Sequence, residues 1–391
     1  MIVAVLAAVV AVLLLGLAHL YVWRRLVRDP FPDRRVRRIG AALVTVLALM
    51  VPATLVLTRN GVAEWLAWPG YLWLGLLFYL LLFLGALELP RLVLVRRARR
   101  DEPAPVEDSP APGPSRRLVI ARGVAITAGL AATGTVGYGV RTALGPPQID
   151  RQRILLPRLP RAMDGTRLVV VSDIHLGPLA GRDHVRRIVD RINGLDADVV
   201  AIVGDLVDGS VEERGPAAQP LADIRSRTGT FFVTGNHEYY SGYEDWIQRL
   251  DELDVRTLRN EHTELLIRGG AIDLAGVNDL TGADHHDAPD FARAFADRDP
   301  DRPVVLMAHQ PVQARSAAKY GVDLQVSGHT HGGQMAPFGL LARIEQPVVS
   351  GFGRVDGVPV YVTNGAGFWG PPVRVGAPPQ VTLLELRSPQ A

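Results

Sequence analysis

Five short apolar runs in the second half of this 391-residue chain are each followed at once by polar side chains that can bind metal ions. In chain order these side chains are Asp173 and His175, Asp205 and Asp208, Asn236, His237 and Glu238, His309, and His329 and His331. Continuous apolar runs rich in valine are typical of strands that are covered on both faces. Loops at the carboxyl ends of parallel strands converge on one crevice, so we expect these side chains to meet.

The types and spacing of these residues indicate a metal centre. One Asp-x-His pair is common in proteins, but five of the ten histidines of the chain follow predicted strands together with Asp and Asn. Two pairs, Asp173 with His175 and His329 with His331, exceed the needs of one ion. Two cations ~3.5–4 Å apart need a bridging carboxylate and can clamp an in-line displacement at phosphorus, so we predict two divalent metal ions.

The absence of cysteine narrows the chemistry of the site. With no Cys in the chain, thiolate zinc sites, disulfide frameworks and thiol nucleophiles are excluded. Nitrogen and oxygen ligands favour hard or borderline divalent ions. Mn, Fe, Zn and Mg are all compatible with this set.

The motifs also match a known pattern block by block. The blocks are Asp173-Ile174-His175, Gly204-Asp205, Gly235-Asn236-His237-Glu238, His309, and Gly328-His329-Thr330-His331. Present in this order, they resemble the calcineurin-like metallophosphoesterase family over about residues 165 to 387. The apolar first half of the chain resembles the bacterial membrane-associated branch of that family. The resemblance implies an α/β fold, a four-layer α-β-β-α sandwich, preceded by an α-helical membrane domain of about four transmembrane helices.

The resemblance further implies a role for each site residue. One metal would be held by Asp173, His175 and His331, the second by Asn236, His309 and His329, with Asp205 bridging the two. It implies a metal-dependent phosphoric ester hydrolase in which a metal-bridging hydroxide attacks phosphorus. His237 would stabilise the phosphoryl oxygens or protonate the leaving oxygen. Glu238, also predicted as catalytic, could orient His237.

The first half of the chain is predicted to be a membrane anchor. Crossing a hydrocarbon core takes ~20 apolar residues of helix, and four segments satisfy this, at about residues 1–23, 39–58, 65–87 and 118–140. A Pro-rich stretch at 101–114 is predicted to be a disordered link. The predicted organisation is therefore an anchor at 1–143, a connector at 144–164 and a metallophosphoesterase domain at 165–391.

The distribution of arginine predicts how the anchor is oriented. Seven arginines lie between the first and second segments and seven between the third and fourth, which places both loops in the cytoplasm and the last domain outside it. We therefore predict a multi-pass protein of the cell membrane with an extracytoplasmic catalytic domain. Arg116 and Arg117 either form an internal twin-arginine export signal or only orient the fourth helix. We predict an uncleaved anchor, because no small-x-small cleavage site follows before Pro146.

These features predict a membrane-anchored phosphoesterase that cleaves phosphodiesters or phosphomonoesters. A tether at the lipid bilayer favours a phospholipid or lipid-linked pyrophosphate as substrate, although an anchor also suits an enzyme of soluble esters. No nucleic-acid partner is expected, since the basic excess lies between apolar runs. The alternative is a metal-binding membrane sensor or scaffold without turnover. Transport is a third hypothesis, disfavoured because the apolar segments lack paired charges.

Overall fold

The computed structural model describes residues 2–100 and 115–389, which divide into two units at Tyr138 and Gly139. The first unit is helical, and each of its helices is long and apolar enough to cross a membrane. The helices are α1 (Ile2–Trp23), α2 (Arg34–Arg59), α3 (Ala67–Arg100) and α4 (Arg116–Leu144), whose last residues belong to the second unit. The predicted disordered link at 101–114 lies outside the described residues.

The membrane helices extend beyond the uncharged segments that predicted them. Helix α2 begins at Arg34 because the Asp33 side chain accepts a hydrogen bond from the Val36 backbone N–H at 2.9 Å, which caps the helix. An ion pair joins the turn after α1 to α3, with Arg25 Nε 2.6 Å from Glu88 Oε1. Both residues lie just past the predicted segments, so this paired charge was not anticipated.

The second unit contains two six-stranded mixed sheets. The first sheet has the order β1-β12-β2-β3-β4-β5 and the second has the order β10-β11-β9-β8-β7-β6. The strands are β1 (Gln148–Leu155), β2 (Thr166–Val171), β3 (Val199–Val203), β4 (Gly229–Val233), β5 (Val255–Thr257), β6 (Glu261–Ile267), β7 (Gly270–Gly276), β8 (Val304–Met307), β9 (Leu324–Ser327), β10 (Gly351–Val355), β11 (Val358–Val362) and β12 (Gln380–Arg387).

The α-helices of the second unit are α5 (Arg182–Asn193), α6 (Val211–Ala218), α7 (Asn236–Ser241), α8 (Tyr243–Asp251), α9 (Phe291–Ala294), α10 (Ala314–Ala317) and α11 (Gly339–Glu345). Helices α5, α6 and α8 pack on the outer face of the first sheet, and α9 and α10 pack on that of the second. Helix α5 forms because Val185, Ile188 and Ile192 recur at helical spacing and are fully buried. Trp246 of α8 joins the same apolar cluster.

The core lies in three layers of apolar side chains. A middle layer contains residues of both sheets, such as Val170 of β2 and Val305 of β8. One outer layer packs the first sheet against α5 and α8, and the other packs the second sheet against α9 and α10. This arrangement confirms the predicted four-layer α-β-β-α sandwich preceded by a helical region.

Residues 144–164, predicted to be a connector, contribute a strand to the first sheet. Strand β1 pairs in parallel with β12 over all eight residues, from Gln148 opposite Gln380 to Leu155 opposite Arg387. Strand β1 was not predicted because its sequence does not alternate regularly between apolar and polar residues. The division of the chain at residue 165 stays a prediction.

Candidate metal centre

The strand ends bring the predicted ligands together. Strands β2, β3 and β4 run parallel, and their carboxyl ends lead to Asp173 and His175, to Asp205, and to Asn236. Strands β8 and β9 run parallel in the second sheet and lead to His309, His329 and His331. Both sheets therefore contribute to one site. Asp173, Asp205 and His309 are almost completely inaccessible to solvent.

The first ligand group contains Asp173, His175 and His331, whose donor atoms all lie within 4.8 Å of one another. The Nε2 atoms of His175 and His331 are 3.0 Å apart. His331 Nε2 is also 3.4 Å from Asp173 Oδ1. This is the set that the sequence assigned to one metal.

The second group contains Asp205, His309 and His329, with Asn236 beside them. His309 Nε2 lies 3.2 Å from Asp205 Oδ2 and 3.3 Å from His329 Nδ1. Asn236 Oδ1 lies 3.1 Å from His329 Nδ1. The same Asp205 oxygen is 3.9 Å from His175 Nε2, so this carboxylate stands between the two groups.

The donor chemistry of the histidines fits a pair of cations. His309 Nδ1 is 2.8 Å from the Val203 carbonyl oxygen and His175 Nδ1 is 3.2 Å from Asp208 Oδ2. In the neutral rings that bind cations, Nδ1 donates its proton outward to these oxygens and the Nε2 lone pair is directed into the site. Two rings whose Nε2 atoms face each other at 3.0 Å cannot both donate, and a cation between them would satisfy both.

The backbone is unusual at these residues. Asp173, His175, Asp205, His329 and His331 all have φ between 49° and 70°, in the left-handed region that non-glycine residues rarely adopt. Such conformations persist where the surrounding fold enforces them, and they cluster at functional sites. The ligand loops therefore turn sharply at the donors themselves.

Glycine next to the ligands permits the close packing of these loops. A Cβ atom on Gly328 would lie 1.8 Å from Ser172 Oγ and 2.4 Å from Asp173 Oδ2. At Gly204, where φ is +82°, a Cβ atom would lie 2.6 Å from both the Gly235 backbone nitrogen and His309 Nδ1. The glycines of these two motifs are thus required by space.

Burial and neighbouring charges set the protonation of the site. Although burial alone would raise it, the charge of His309 holds the pKa of Asp205 well below its usual value. Burial, assisted by the charge of His309, lowers the pKa of His329 to about 4. An anionic Asp205 and a neutral His329 at pH 7 are the forms that bind cations.

His237 lies beside the ligand groups, and its side chain is partly exposed. Its Nδ1 atom is 2.5 Å from Asp208 Oδ1, and its ring meets the His175 ring edge to face at 4.6 Å between centroids. Burial alone would lower the pKa of His237, but the charges of Asp205 and Asp208 raise it to about 9. Asp208 was seen in the sequence beside Asp205 but was assigned no role. Its position three residues after Asp205, in the same loop, was the feature of the sequence that could have indicated a role at the site.

Glu238 holds backbone groups of two ligand loops. Its buried carboxylate accepts hydrogen bonds from the backbone N–H groups of Gly235 at 2.6 Å, Leu206 at 2.7 Å and Asp205 at 3.0 Å. Burial and the charge of Asp205 raise the pKa of Glu238 to about 7. In the structure Glu238 ties two ligand loops together, and its role in orienting His237 stays a prediction.

Arg374 is a fully buried residue that sequence reasoning missed. Its guanidinium donates to the backbone carbonyl oxygens of His331 at 2.8 Å and Asn364 at 2.9 Å, and Nη2 lies 3.1 Å from His331 Nδ1. Burial lowers the pKa of Arg374 to about 10. It stands 43 residues after His331 and outside every motif, so no pattern in the sequence indicated the contact.

Comparisons with known proteins agree with this geometry. Residues 166–333 match the family model described as calcineurin-like phosphoesterase. The chain is 35% identical over 394 residues to a "transmembrane protein with metallophosphoesterase domain" of Danio rerio, covering 96% of this chain and 87% of that one. It is 30% identical over 385 residues to a metallophosphoesterase of Campylobacter jejuni, covering 97% of each chain. A metallophosphoesterase of Helicobacter pylori is 38% identical over 276 residues, 70% of this chain and 73% of that one.

These similarities extend across both units. The Danio rerio and Campylobacter jejuni matches cover nearly the whole chain, and the four apolar helices support a membrane protein. The resemblance to this family, which five short motifs indicated in the sequence, is confirmed. The chain belongs to the calcineurin-like phosphoesterase family and is a metal-dependent phosphoesterase.

Proposed function

We propose that this chain is a membrane-anchored enzyme that hydrolyses phosphodiester or phosphomonoester bonds with two divalent cations. The observation that carries the proposal is the position of Asp205, whose Oδ2 atom lies between His309 at 3.2 Å and His175 at 3.9 Å. A carboxylate in that position can offset the repulsion between two neighbouring cations.

Asp173, His175 and His331 would hold one cation, Asn236, His309 and His329 the other, and Asp205 both. Mn, Fe, Zn or Mg suits this set of nitrogen and oxygen donors. When bound, such a pair supplies positive charge that polarises a phosphoester and makes water more acidic. A phosphoester bound at these cations would lie next to His237, whose ring contacts that of the ligand His175.

His237 acts as the proton donor to the leaving oxygen. Asp208 occupies its Nδ1 atom at 2.5 Å, which leaves Nε2 to face the ester. The hydrogen bond to Asp208 and its charge favour the protonated ring, as a general acid requires. Asp208 is a positioning residue, because it touches the imidazole and not the substrate.

The catalytic domain, residues 165–391, lies outside the cytoplasm in this proposal. The two arginine-rich loops favour that orientation. Because the natural chain contains no cysteine, a single Leu266→Cys variant can be treated with a membrane-impermeant maleimide in intact cells. Labelling before lysis supports the orientation, and labelling only after lysis contradicts it.

A lipid-linked phosphoester is the substrate class that a tethered enzyme would meet most often. A phospholipid and a lipid-linked pyrophosphate both present a phosphate at the bilayer surface. The proposed substrate therefore includes these beside soluble diesters and monoesters.

The test uses the full chain reconstituted with each metal in turn. Hydrolysis of an aryl phosphodiester, an aryl phosphomonoester and a lipid-linked pyrophosphate is measured together with metal content. His237→Ala should keep the metal but lower kcat by ~10²–10⁴-fold, whereas Asp205→Ala should lose metal as well. Bound metal without turnover of any substrate would instead favour the sensor or scaffold.

A further inference from the structure

An exposed apolar surface lies on α11, the short helix that follows the last metal ligands. Phe338, Leu340, Leu341 and Ile344 are 49%, 67%, 57% and 79% exposed, and no residue of the helix is buried. Ile344 lies three residues after Leu341 and four after Leu340, so these three side chains are neighbours on the helix surface, and Phe338 immediately precedes the helix. We call these four residues the α11 face.

The α11 face is built onto the metal centre. Helix α11 begins at Gly339, which packs so closely on Gly333 that a Cβ atom on Gly333 would be 2.3 Å from the Gly339 Cα atom. Gly333 stands two residues after the ligand His331. The α11 face is thus attached directly to the turn that carries a predicted ligand.

Another exposed apolar residue, Trp369, lies between the turn after His331 and the ring of His237. The Gln334 side chain donates to the Trp369 carbonyl oxygen at 2.9 Å and accepts from the Trp369 backbone N–H at 3.0 Å. Trp369 is 58% exposed, and its ring lies 6.0 Å from the His237 ring. Exposed apolar side chains therefore extend from α11 to the edge of the site.

Soluble surfaces rarely expose apolar side chains in such a group unless a partner covers them. Here the connectivity of the chain indicates a bilayer as that partner. Helix α4, one of the four helices that could span a membrane, ends at Leu144, and β1 begins at Gln148. The three residues between them reach at most ~10 Å, so the catalytic unit begins close to the end of a membrane-length helix.

The last residues of α4 also contact the loop that carries Trp369. Ala143 packs in one apolar cluster with Phe368, and the backbone N–H of Arg374 donates to the Gly139 carbonyl oxygen at 3.0 Å. The segment that arrives from α4 and the exposed Trp369 thus belong to one part of the unit.

We propose that the α11 face and Trp369 dock into the lipid surface of the membrane that holds the chain. Arg343 and Glu345 are the other exposed residues of the helix, and Glu345, four residues after Leu341, borders the α11 face. Apolar side chains exposed in this way can enter the boundary between lipid head groups and acyl chains. Docking of this kind is an interaction of the fold itself and applies whatever ester is hydrolysed.

The experiment measures contact between α11 and lipid in the full chain. Since the protein has no cysteine, Leu340→Cys and Ile344→Cys each provide one site for a fluorescent label. Each labelled protein is placed in nanodiscs whose phospholipids carry a nitroxide quencher at the upper acyl chain. The matched control is Leu266→Cys, a leucine 72% exposed on β6, near the end of the sheet remote from the ligand loops.

The labels on α11 should shift to shorter emission wavelength and lose intensity with quencher lipid, whereas the label at residue 266 should do neither. Adding Leu341→Asp to the Ile344→Cys protein should weaken docking about ten-fold or more, because one apolar anchor is replaced by a charge. Metal content verifies that each variant is folded. The assay reads no hydrolysis, so its failure is distinct from failure of the proposed enzyme.

Two results would overturn the docking surface. One is equal quenching at residues 344 and 266. The other is a label at residue 344 whose emission wavelength shifts with protein concentration while its intensity does not change with quencher lipid. That result would assign the α11 face to contact with a second copy of the chain.

Discussion

Replacing Asp208 by asparagine tests how the fold controls His237. The Asp208 carboxylate binds two imidazoles, with Oδ1 2.5 Å from His237 Nδ1 and Oδ2 3.2 Å from His175 Nδ1. Asparagine has nearly the same shape, but it is uncharged, and its NH₂ group donates hydrogen bonds and cannot accept one from an imidazole N–H. Asp208→Asn therefore removes the charge that acts on His237 with little change in volume.

The size of the effect follows from the pKa of His237. The difference between 6.5 and about 9 corresponds to ~3 kcal/mol of preference for the protonated ring. Burial opposes this preference, Asp205 favours it through a charge that bound cations would offset, and Asp208 favours it through a hydrogen bond and its charge. Loss of Asp208 should lower the pKa of His237 by roughly one unit, ~1.4 kcal/mol.

The assay is kcat for a soluble aryl phosphodiester as a function of pH. A general acid must be protonated, so kcat falls as the pH rises through the pKa of His237. In Asp208→Asn the fall should begin at lower pH, and kcat below it should drop ~10–100-fold because the ring loses its fixed orientation.

A charged variant separates the two effects of Asp208. Asp208→Glu keeps the negative charge but changes the geometry, so we expect a lower kcat with the pH of the fall nearly unchanged. If Asp208→Asn has the kcat and the pH profile of the natural enzyme, Asp208 does not position the proton donor and the reasoning is refuted.

Three further perturbations follow from the packing around the site. Gly328→Ala forces a Cβ atom to within 1.8 Å of Ser172 Oγ and should lower the free energy of unfolding by ~1–3 kcal/mol with loss of metal. Gly181→Ala meets open space and costs at most the preference for glycine at the N-cap of α5, ~1 kcal/mol, so it should keep its metal; equal metal content in the two variants would contradict this. Arg374→Met leaves buried carbonyl oxygens without donors and should destabilise by ~3 kcal/mol in calorimetry, an idea that an unchanged Tm would rule out. Removal of the metal by a chelator should lower Tm reversibly, because a ligand at 100 times its Kd stabilises the folded protein by ~2.7 kcal/mol. A Tm that is the same with and without chelator would argue against bound metal.

The ligands and strands could be predicted because the same short segments carry both signals. The run Val199–Val203 is apolar enough to indicate a buried strand, and Asp205 follows before the chain can turn far away. Parallel strands place their carboxyl ends together, so the order of strands and ligands predicted that Asp205 and His309 would meet although 104 positions separate them.

The contacts of Glu238 and Arg374 could not be predicted in this way. Glu238 binds the backbone of residues 205, 206 and 235, and backbone N–H groups have no sequence signature. Arg374 reaches His331 from a loop without regular structure, so neither periodicity nor strand order places it. Long polar side chains are positioned by loop paths, which local patterns do not determine.

The residues at which the helices of the first unit begin and end could not be predicted from the apolar segments either. Charge-free length predicts which residues can lie in hydrocarbon, whereas a helix ends where its backbone donors and acceptors find other partners. Helix α2 therefore starts at Arg34, five positions before the predicted segment, at the cap provided by Asp33.

The division of the ligands between two sheets has a consequence for local stability. Asp173, His175 and Asp205 come from the first sheet, whereas His309 and His331 come from the second, so a cation held by either group would cross-link the two halves of the sandwich. The backbone amides of β3 and β8 should therefore exchange hydrogen faster in metal-free protein than in metal-bound protein.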